Sequence, residues 1–274
     1  MAKRKKNKQP ATNRILWVAA VVVAGILISH FIEPRQAQGN ADYSSDLAVP
    51  VFTTPPAKSQ IIEHTGYTVS YNSSTKNPNW VGYELTAEEA VGVVEREDGF
   101  CCDPLVRGTQ ACDDDYKNSG WDRGHMAPAA DMKWSKQAME ESFYLSNVSP
   151  QNKNLNRGVW KKLEEFTRDK AELYGRVIVV TGPIFNSDRE ESIGYSRVKI
   201  PYAFFKVLLT DYNGKHRAIG FVCKNKAEKK KLNEYAMSID KVEELTGLDF
   251  FAALPDDTEN EIEKSYSAPF WGLH

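Results

Sequence analysis

The sequence predicts an α+β fold built around a central, mostly antiparallel sheet flanked by helices. Three observations carry this. Strand-like segments outnumber helical ones, and Asn213-Gly214 marks a tight hairpin between two apolar runs. One long amphipathic stretch, Leu155 to Tyr174, is closed by Gly175. Strands joined by hairpins, without a regular strand-helix alternation, favour an antiparallel sheet over a doubly wound one.

Taken in order, Tyr67 to Asn72 alternates apolar and polar residues, as does Trp80 to Leu85 beyond a Ser/Asn/Pro turn, which predicts a hairpin. Ala90 to Glu95 is a further strand candidate. Cys101 to Ser119 reads as a long polar loop, with Asp113, Asp114 and Asp115 as a solvated turn. A short helix is expected over Ser135 to Ser142, followed by an extended Phe143 to Val148. In the long helix Leu155, Val159, Leu163 and Phe166 form one apolar stripe. Arg176 to Thr181 reads as a buried strand, and Tyr202 to Asp211 with Arg217 to Cys223 flank the Asn-Gly turn. Ile239 to Thr246, stopped by Gly247, is a late helix.

The chain has 274 residues, ample for one large domain, and 41% of them are hydrophobic. Met1 to Arg14 forms a basic head holding Lys3, Arg4, Lys5, Lys6, Lys8 and Arg14 without an acid, and Ile15 to Ile32 is almost wholly apolar. That pattern predicts a transmembrane signal-anchor with its basic end in the cytoplasm, placing the catalytic domain outside it, periplasmic or extracellular. A cleaved signal peptide, giving a secreted protein, is the alternative. A mitochondrial presequence fits less well, because the basic cluster precedes a continuous apolar run. Residues 33–62, rich in Pro, Ser, Thr and Gln, are expected to form a tether, with the domain proper over 63–274.

The formal net charge is −2, and without the six basic residues of the head it is about −8. Binding of nucleic acid therefore requires a local basic groove on an acidic protein. The four cysteines, Cys101, Cys102, Cys112 and Cys223, match no zinc spacing. Export makes disulfides the expectation, with Cys112 joined to Cys101 or Cys102.

The stretch from Trp121 to Pro128 contains Asp122-Arg123-Gly124-His125, and Asn147 to Trp160 follows about thirty residues later. A histidine can take a proton from water near neutral pH, an arginine can fork a phosphate, and an amide carbonyl is a hard ligand for Mg²⁺. This combination suits hydrolysis of a phosphodiester. A bland reading of each residue alone stays open: a structural histidine, or a helix-capping Asn156. Asn156, Trp160, Glu164 and Arg168 recur every four residues, giving a slanted row that drifts by about 120° beside the apolar stripe.

Asp122-Arg123-Gly124-His125 with Asn147, Pro150-Gln151, Leu155-Asn156 and Trp160 through Leu163-Glu164 resembles the DNA/RNA non-specific endonuclease family, over roughly Tyr67 to Gly247. The resemblance implies a ββα-metal (His-Me finger) site that cuts DNA and RNA to 5′-phosphate ends. In it His125 is the general base and Asn156 the one direct protein ligand of Mg²⁺, which Mn²⁺ can replace. Glu164 acts through metal-bound water, and Asn147 supports the surroundings of His125. Arg96, Arg123 and Arg168 match phosphate-holding positions, although Arg96 lies beside Cys101-Cys102, where relatives are usually more polar. Trp121 and Trp160 are expected to pack and not to stack on bases. Oligomeric state is left open, a homodimer and an inhibitor protein both being compatible partners. A membrane-tethered nucleic-acid receptor without catalysis is the second reading; a small-molecule phosphodiesterase is the third.

Overall fold

The computed structural model describes residues 44–54, 56, 58–186 and 191–274. The basic head and the apolar segment Ile15 to Ile32 lie outside the described residues. The strands are β1 (Val51–Phe52), β2 (Ser59–Glu63), β3 (Thr68–Asn72), β4 (Asn77–Thr86), β5 (Asp122–His125), β6 (Val148–Gln151) and β7 (Arg176–Ile184). They continue with β8 (Ser192–Ile193), β9 (Val198–Lys199), β10 (Ala203–Tyr212), β11 (Lys215–Lys224), β12 (Ala236–Met237) and β13 (Leu248–Asp249).

Seven strands form one sheet in the order β12-β11-β10-β7-β4-β3-β2, and every neighbouring pair is antiparallel. The Asn213-Gly214 turn closes β10 onto β11, both residues taking positive φ (53° and 70°) as a two-residue hairpin requires. Both faces of the sheet are buried. Val177 and Val179 of β7 join one apolar cluster with Trp160 and Leu163, whereas Ile178 and Val180 join another with Ile239, Val242 and Ile262. This double burial explains why β7 and β10 read as continuous apolar runs and not as alternating ones.

The long helix is not uniform. It begins as Lys153–Leu155, is kinked within Asn156–Trp160 where Gly158 leaves helical geometry (φ −110°, ψ −111°), and continues as a regular α-helix over Lys161–Tyr174. Asn152 caps its start by accepting from the Asn154 and Leu155 amides. Gly175, at φ 91°, ends it. The short helix Lys136–Ser142 is capped by Ser135, as its sequence predicts.

Several expectations are corrected. Ala90 to Glu95 is not a strand: Ala87–Ala90 is a helical turn held by a Thr86/Glu89 capping box, and Val93 is 87% exposed, with no sheet face to bury it. The aspartates 113–115 are not merely a solvated turn. They open a helical turn in which Asp115 is buried, accepting from the amides of Cys112 and Ser196. The folded unit also starts earlier than residue 63, because Ser59–Glu63 is a sheet strand and Leu47 and Ala48 are buried. A Cβ on Gly82 would sit 1.8 Å from the Ala48 carbonyl oxygen, so glycine is what lets this segment lie against β4. The two terminal helices, Asp256–Glu263 and Ala268–Trp271, were not foreseen.

Candidate active site

Strands β5 and β6 pair with His125 opposite Val148 and Asp122 opposite Gln151, and the long helix follows β6 directly. His125 thus ends one strand while Asn156 stands at the start of the helix. The strands pack closely: a Cβ on Gly124 would come within 2.6 Å of the Gln151 Cβ, so only glycine fits between Arg123 and His125.

A cleft of about 550 Å³ opens over this unit. Of the residues named from the sequence, Arg96, Arg123, His125, Asn156, Glu164 and Arg168 all line it. Arg157 and Lys161 add two cations that the sequence reading did not single out, leaving Asp122 and Glu164 as its acids. An acidic protein therefore carries a cationic groove, the local exception that its net charge required.

His125 packs between Phe100 and Phe143, with ring centroids 5.1 and 5.2 Å away. Its Nε2 is sealed from solvent and has no hydrogen-bond partner among the described residues. The nitrogen open to the cleft is accordingly Nδ1. Burial, aided by the positive charge of Arg96, pushes His125 down to about 3, so the imidazole is neutral at physiological pH.

Asn147 lies behind this histidine and is fully buried. Its Oδ1 accepts from the Ala127 amide at 2.8 Å, and its Nδ2 donates to the carbonyls of Ala127 and Ser142, each at 2.8 Å. The Met126 amide donates to the Asn147 carbonyl at 2.9 Å. Asn147 therefore fastens the backbone immediately after His125 and does not itself line the cleft.

Asn156 donates from Nδ2 to Asp122 Oδ2 at 3.1 Å, and Arg157 forks the same carboxylate at 2.9 and 3.0 Å. With its NH₂ end committed to an anion, the amide of Asn156 keeps Oδ1 as its free acceptor. A neutral oxygen lining a cleft beside two carboxylates is a donor set suited to a hard cation. The residues present thus fit a divalent metal.

Each of two phosphate-binding candidates is anchored by an acid. Arg123 Nη2 lies 2.6 Å from Asp113 Oδ1, with its guanidinium over the rings of Phe100 and Tyr116. Arg168 Nη1 lies 2.7 Å from Asp131 Oδ1. Arg96 lies over the Phe143 ring at 5.1 Å and makes no ion pair among the described residues. Of the two tryptophans expected to pack, Trp160 is fully buried against Phe204, whereas Trp121 is half-buried against a side cluster and also lines the cleft.

Beneath the cleft lies a charge network that the sequence reading missed. Asp131 is fully buried, accepting from Tyr83 Oη at 2.8 Å as well as from Arg168. Lys206 of β10 is also fully buried; its Nζ has no hydrogen-bond partner among the described residues and sits over the rings of Trp160 and Tyr83. Burial raises Glu164 to about 7 in spite of the positive charge of Lys206, and it lowers Lys206 despite Glu164 and Asp131. A lysine inside Phe204-Phe205-Lys206-Val207-Leu208 was the one available signal.

The four cysteines are free thiols and no disulfide is formed, but Cys112 lies beside Cys102, one of the two partners expected for it. Cys223 is buried in the core while Cys101, Cys102 and Cys112 are exposed, which separates it from the other three. Burial, then the Cys112 thiol beside it, raises Cys102, so neither feature favours a reactive thiolate there.

Comparison with known proteins completes the picture. A family profile described as DNA/RNA non-specific endonuclease matches residues 44–257. The Danio rerio protein "Nuclease EXOG, mitochondrial" is 33% identical over 248 residues, covering 85% of this chain and 71% of its own. "Nuclease C1" of Cunninghamella echinulata var. echinulata is 35% identical over 230 residues, covering 77% and 90%. Among solved structures, "Crystal structure of the EndoG/EndoGI complex: Mechanism of EndoG inhibition" superposes with a TM-score of 0.68 and 30% identity, covering 72% of this chain and 88% of that one. The chain spans 60–72% of the length of the Danio rerio protein and its Mus musculus and Homo sapiens counterparts.

Those three relatives are mitochondrial by name, and among the described residues no helix is long and apolar enough to cross a membrane. The mitochondrial names of these relatives overturn the expectation of a catalytic domain in the periplasm or outside the cell; the apolar segment Ile15 to Ile32 lies outside the described residues, and the absence of a long apolar helix among them does not bear on it. A basic, apolar leader does not by itself specify a compartment, since hydropathy reports affinity for a bilayer and not which bilayer. The profile match over most of the chain, the sequence identity and the shared antiparallel fold agree: the chain belongs to the DNA/RNA non-specific endonuclease family.

Proposed function

We propose that this chain hydrolyses the phosphodiester bonds of DNA and RNA with Mg²⁺ at a ββα-metal (His-Me finger) site, leaving 5′-phosphate ends. The observation that carries this reading is His125: neutral, with Nε2 sealed and Nδ1 open to a cleft that also holds Asn156 and the cleft arginines. A neutral imidazole is the form that accepts a proton, and the negative charge of a phosphate bound in the cleft would raise His125 from about 3 toward the range of a working base. With Nε2 carrying the hydrogen, Nδ1 takes a proton from a water poised for in-line attack on phosphorus.

Asn156 Oδ1 would hold the metal directly, and Glu164 would act on it through water. When bound, Mg²⁺ supplies positive charge at the scissile phosphate and the departing 3′ oxygen; Mn²⁺ can substitute. Arg96, Arg123 and Arg168 bind phosphate. Two of them are already held in place by Asp113 and Asp131, which lowers the entropy lost on ordering them around a substrate. Contacts to phosphate carry no base information, so the reading extends to both nucleic acids in single- or double-stranded form. The gathering of His125, Asn156 and Glu164 in one cleft favours it over a receptor, which needs only the cations. A proteinaceous inhibitor as partner is part of the same reading, supported by the similar solved structure, in which EndoG is held in an inhibitory complex with EndoGI.

The test is nicking of supercoiled plasmid and degradation of RNA by the purified full chain, with Mg²⁺ and then with a chelator. His125→Ala and Asn156→Ala are each expected to lower the rate at least about a hundredfold. Undiminished cleavage in either variant removes the assignment. Intact DNA binding with no cleavage by wild type would favour the receptor.

A further inference from the structure

Five acidic side chains converge near the C-terminal end of the chain, and none of them lines the His125 cleft. Asp240 and Glu243 are three residues apart on the helix Ile239–Thr246, Glu259 and Glu263 are four apart on Asp256–Glu263, and Asp249 ends β13. Each helical spacing places its pair on one face. Carboxylate oxygens of Asp240, Glu243 and Glu263 lie within 4.8 Å of one another, and so do those of Asp249, Glu259 and Glu263. Glu263 is common to both groups.

Glu263 is 8% exposed, and its Oε1 is buried without a hydrogen-bond partner; Glu259 Oε1 is in the same condition. Among the described residues no lysine or arginine pairs with any of the five, and adjacent Lys241 is engaged by Glu244. The Phe250 amide, donating to Glu243 Oε1 at 2.8 Å, is the hydrogen bond the cluster has for relief. A buried carboxylate surrounded by other carboxylates is costly unless a cation or a proton compensates it. Burial, then Glu243, Glu259, Asp240 and Asp249, pushes Glu263 up to about 9, which measures how much negative charge meets there.

We propose that Asp240, Glu243, Asp249, Glu259 and Glu263 form a binding site for a divalent cation of the Ca²⁺ class, separate from the catalytic cleft. The donors are all carboxylate oxygens, and they come in two overlapping groups around Glu263. That suits an ion which takes six to eight oxygens in adaptable geometry, as Ca²⁺ does, better than Mg²⁺, which demands a strict octahedron and keeps its waters. Ile239, Val242 and Ile262 from the same two helices pack beneath the sheet, and Leu248 of β13 joins them. An ion held here ties both helices and β13 together over that cluster. Its effect is therefore on stability.

The full chain, stripped of metal with EDTA and dialysed, is titrated with CaCl₂ by calorimetry and followed by thermal unfolding. Wild type, Asn156→Ala and the double variant Glu259→Gln/Glu263→Gln are compared. Wild type and Asn156→Ala are expected to bind Ca²⁺ and to gain about 5–10 °C in Tm at a hundredfold excess over Kd. The double variant loses both the binding heat and the shift, yet in EDTA it is at least as stable as wild type, because the crowded Glu259 charge has gone and Glu263, pushed up to about 9, is already neutral without the ion. Mg²⁺ binds the site at least about tenfold more weakly. Should the double variant fail to fold, exposed Asp240→Asn replaces it and weakens Ca²⁺ binding severalfold with Tm in EDTA unchanged. The proposal is overturned if wild type shows no Ca²⁺-dependent shift, if the shift survives in the double variant, or if Asn156→Ala alone abolishes it.

Discussion

Replacing Asn147 with alanine tests how much of the His125 geometry depends on a residue outside the cleft. The substitution removes three hydrogen bonds of 2.8 Å and leaves the Ala127 amide and the carbonyls of Ala127 and Ser142 without partners at a site with 0% exposure. A buried group so orphaned costs about 1–3 kcal/mol. Carbonyls recover part of this by relaxing, so the sum is about 3–5 kcal/mol, a large share of the stability of an ordinary domain. Urea titration gives the loss directly. In thermal unfolding it lowers Tm by about 6–20 °C for a chain of this size. Cleavage measured below the midpoint of the variant should lose kcat more than it raises KM, because the backbone after His125 is displaced while the arginines stay in place. A variant within about 1 kcal/mol of wild type, with full activity, would refute the reasoning.

Lys206→Met removes the buried cation that holds Glu164 down, so Glu164 should protonate at higher pH and the acid side of the pH–rate profile should move upward; an unmoved profile rules out the coupling. His125 is held near 3 in the folded state against about 6.5 when unfolded, so stability present above pH 6.5 is lost as pH falls below it, by on the order of 1 kcal/mol per pH unit. Urea midpoints of wild type and His125→Asn between pH 7 and 4 check this, the variant being flatter. Gly124→Ala drives a methyl against Gln151 and should cost about 1–3 kcal/mol together with most of the activity, because β5 must separate from β6; a normal urea midpoint would show that the strands give way freely.

Much of the site was legible because its parts are local. Asp122 to His125 is four consecutive residues, and Glu164 and Arg168, four apart on the regular helix Lys161–Tyr174, take a common direction from helical spacing, with Asn156 a few residues ahead of them beyond the kink at Gly158. Even so, the kink at Gly158 within Asn156–Trp160 was not foreseen, since a glycine inside a helical pattern is compatible with an unbroken helix as well as with a kink. The central hairpins were legible from alternation and from Asn213-Gly214. The false strand at Ala90 to Glu95 arose because β-branched residues signal a strand only when a neighbouring strand exists to pair with them.

By itself the sequence determined the family, the antiparallel hairpins, most of the residues that meet in the cleft and the need for a local basic groove. The tertiary structure alone decided what surrounds each ionisable group. It set Asp113 against Arg123 and Asp131 against Arg168, and it buried Lys206 beneath Glu164. It buried Cys223 away from the other three cysteines and drew five carboxylates from two helices and a strand around Glu263. These are contacts between residues distant in the chain. Their energies depend on burial and on which charges face one another, and neither is encoded in the spacing of residues along a sequence.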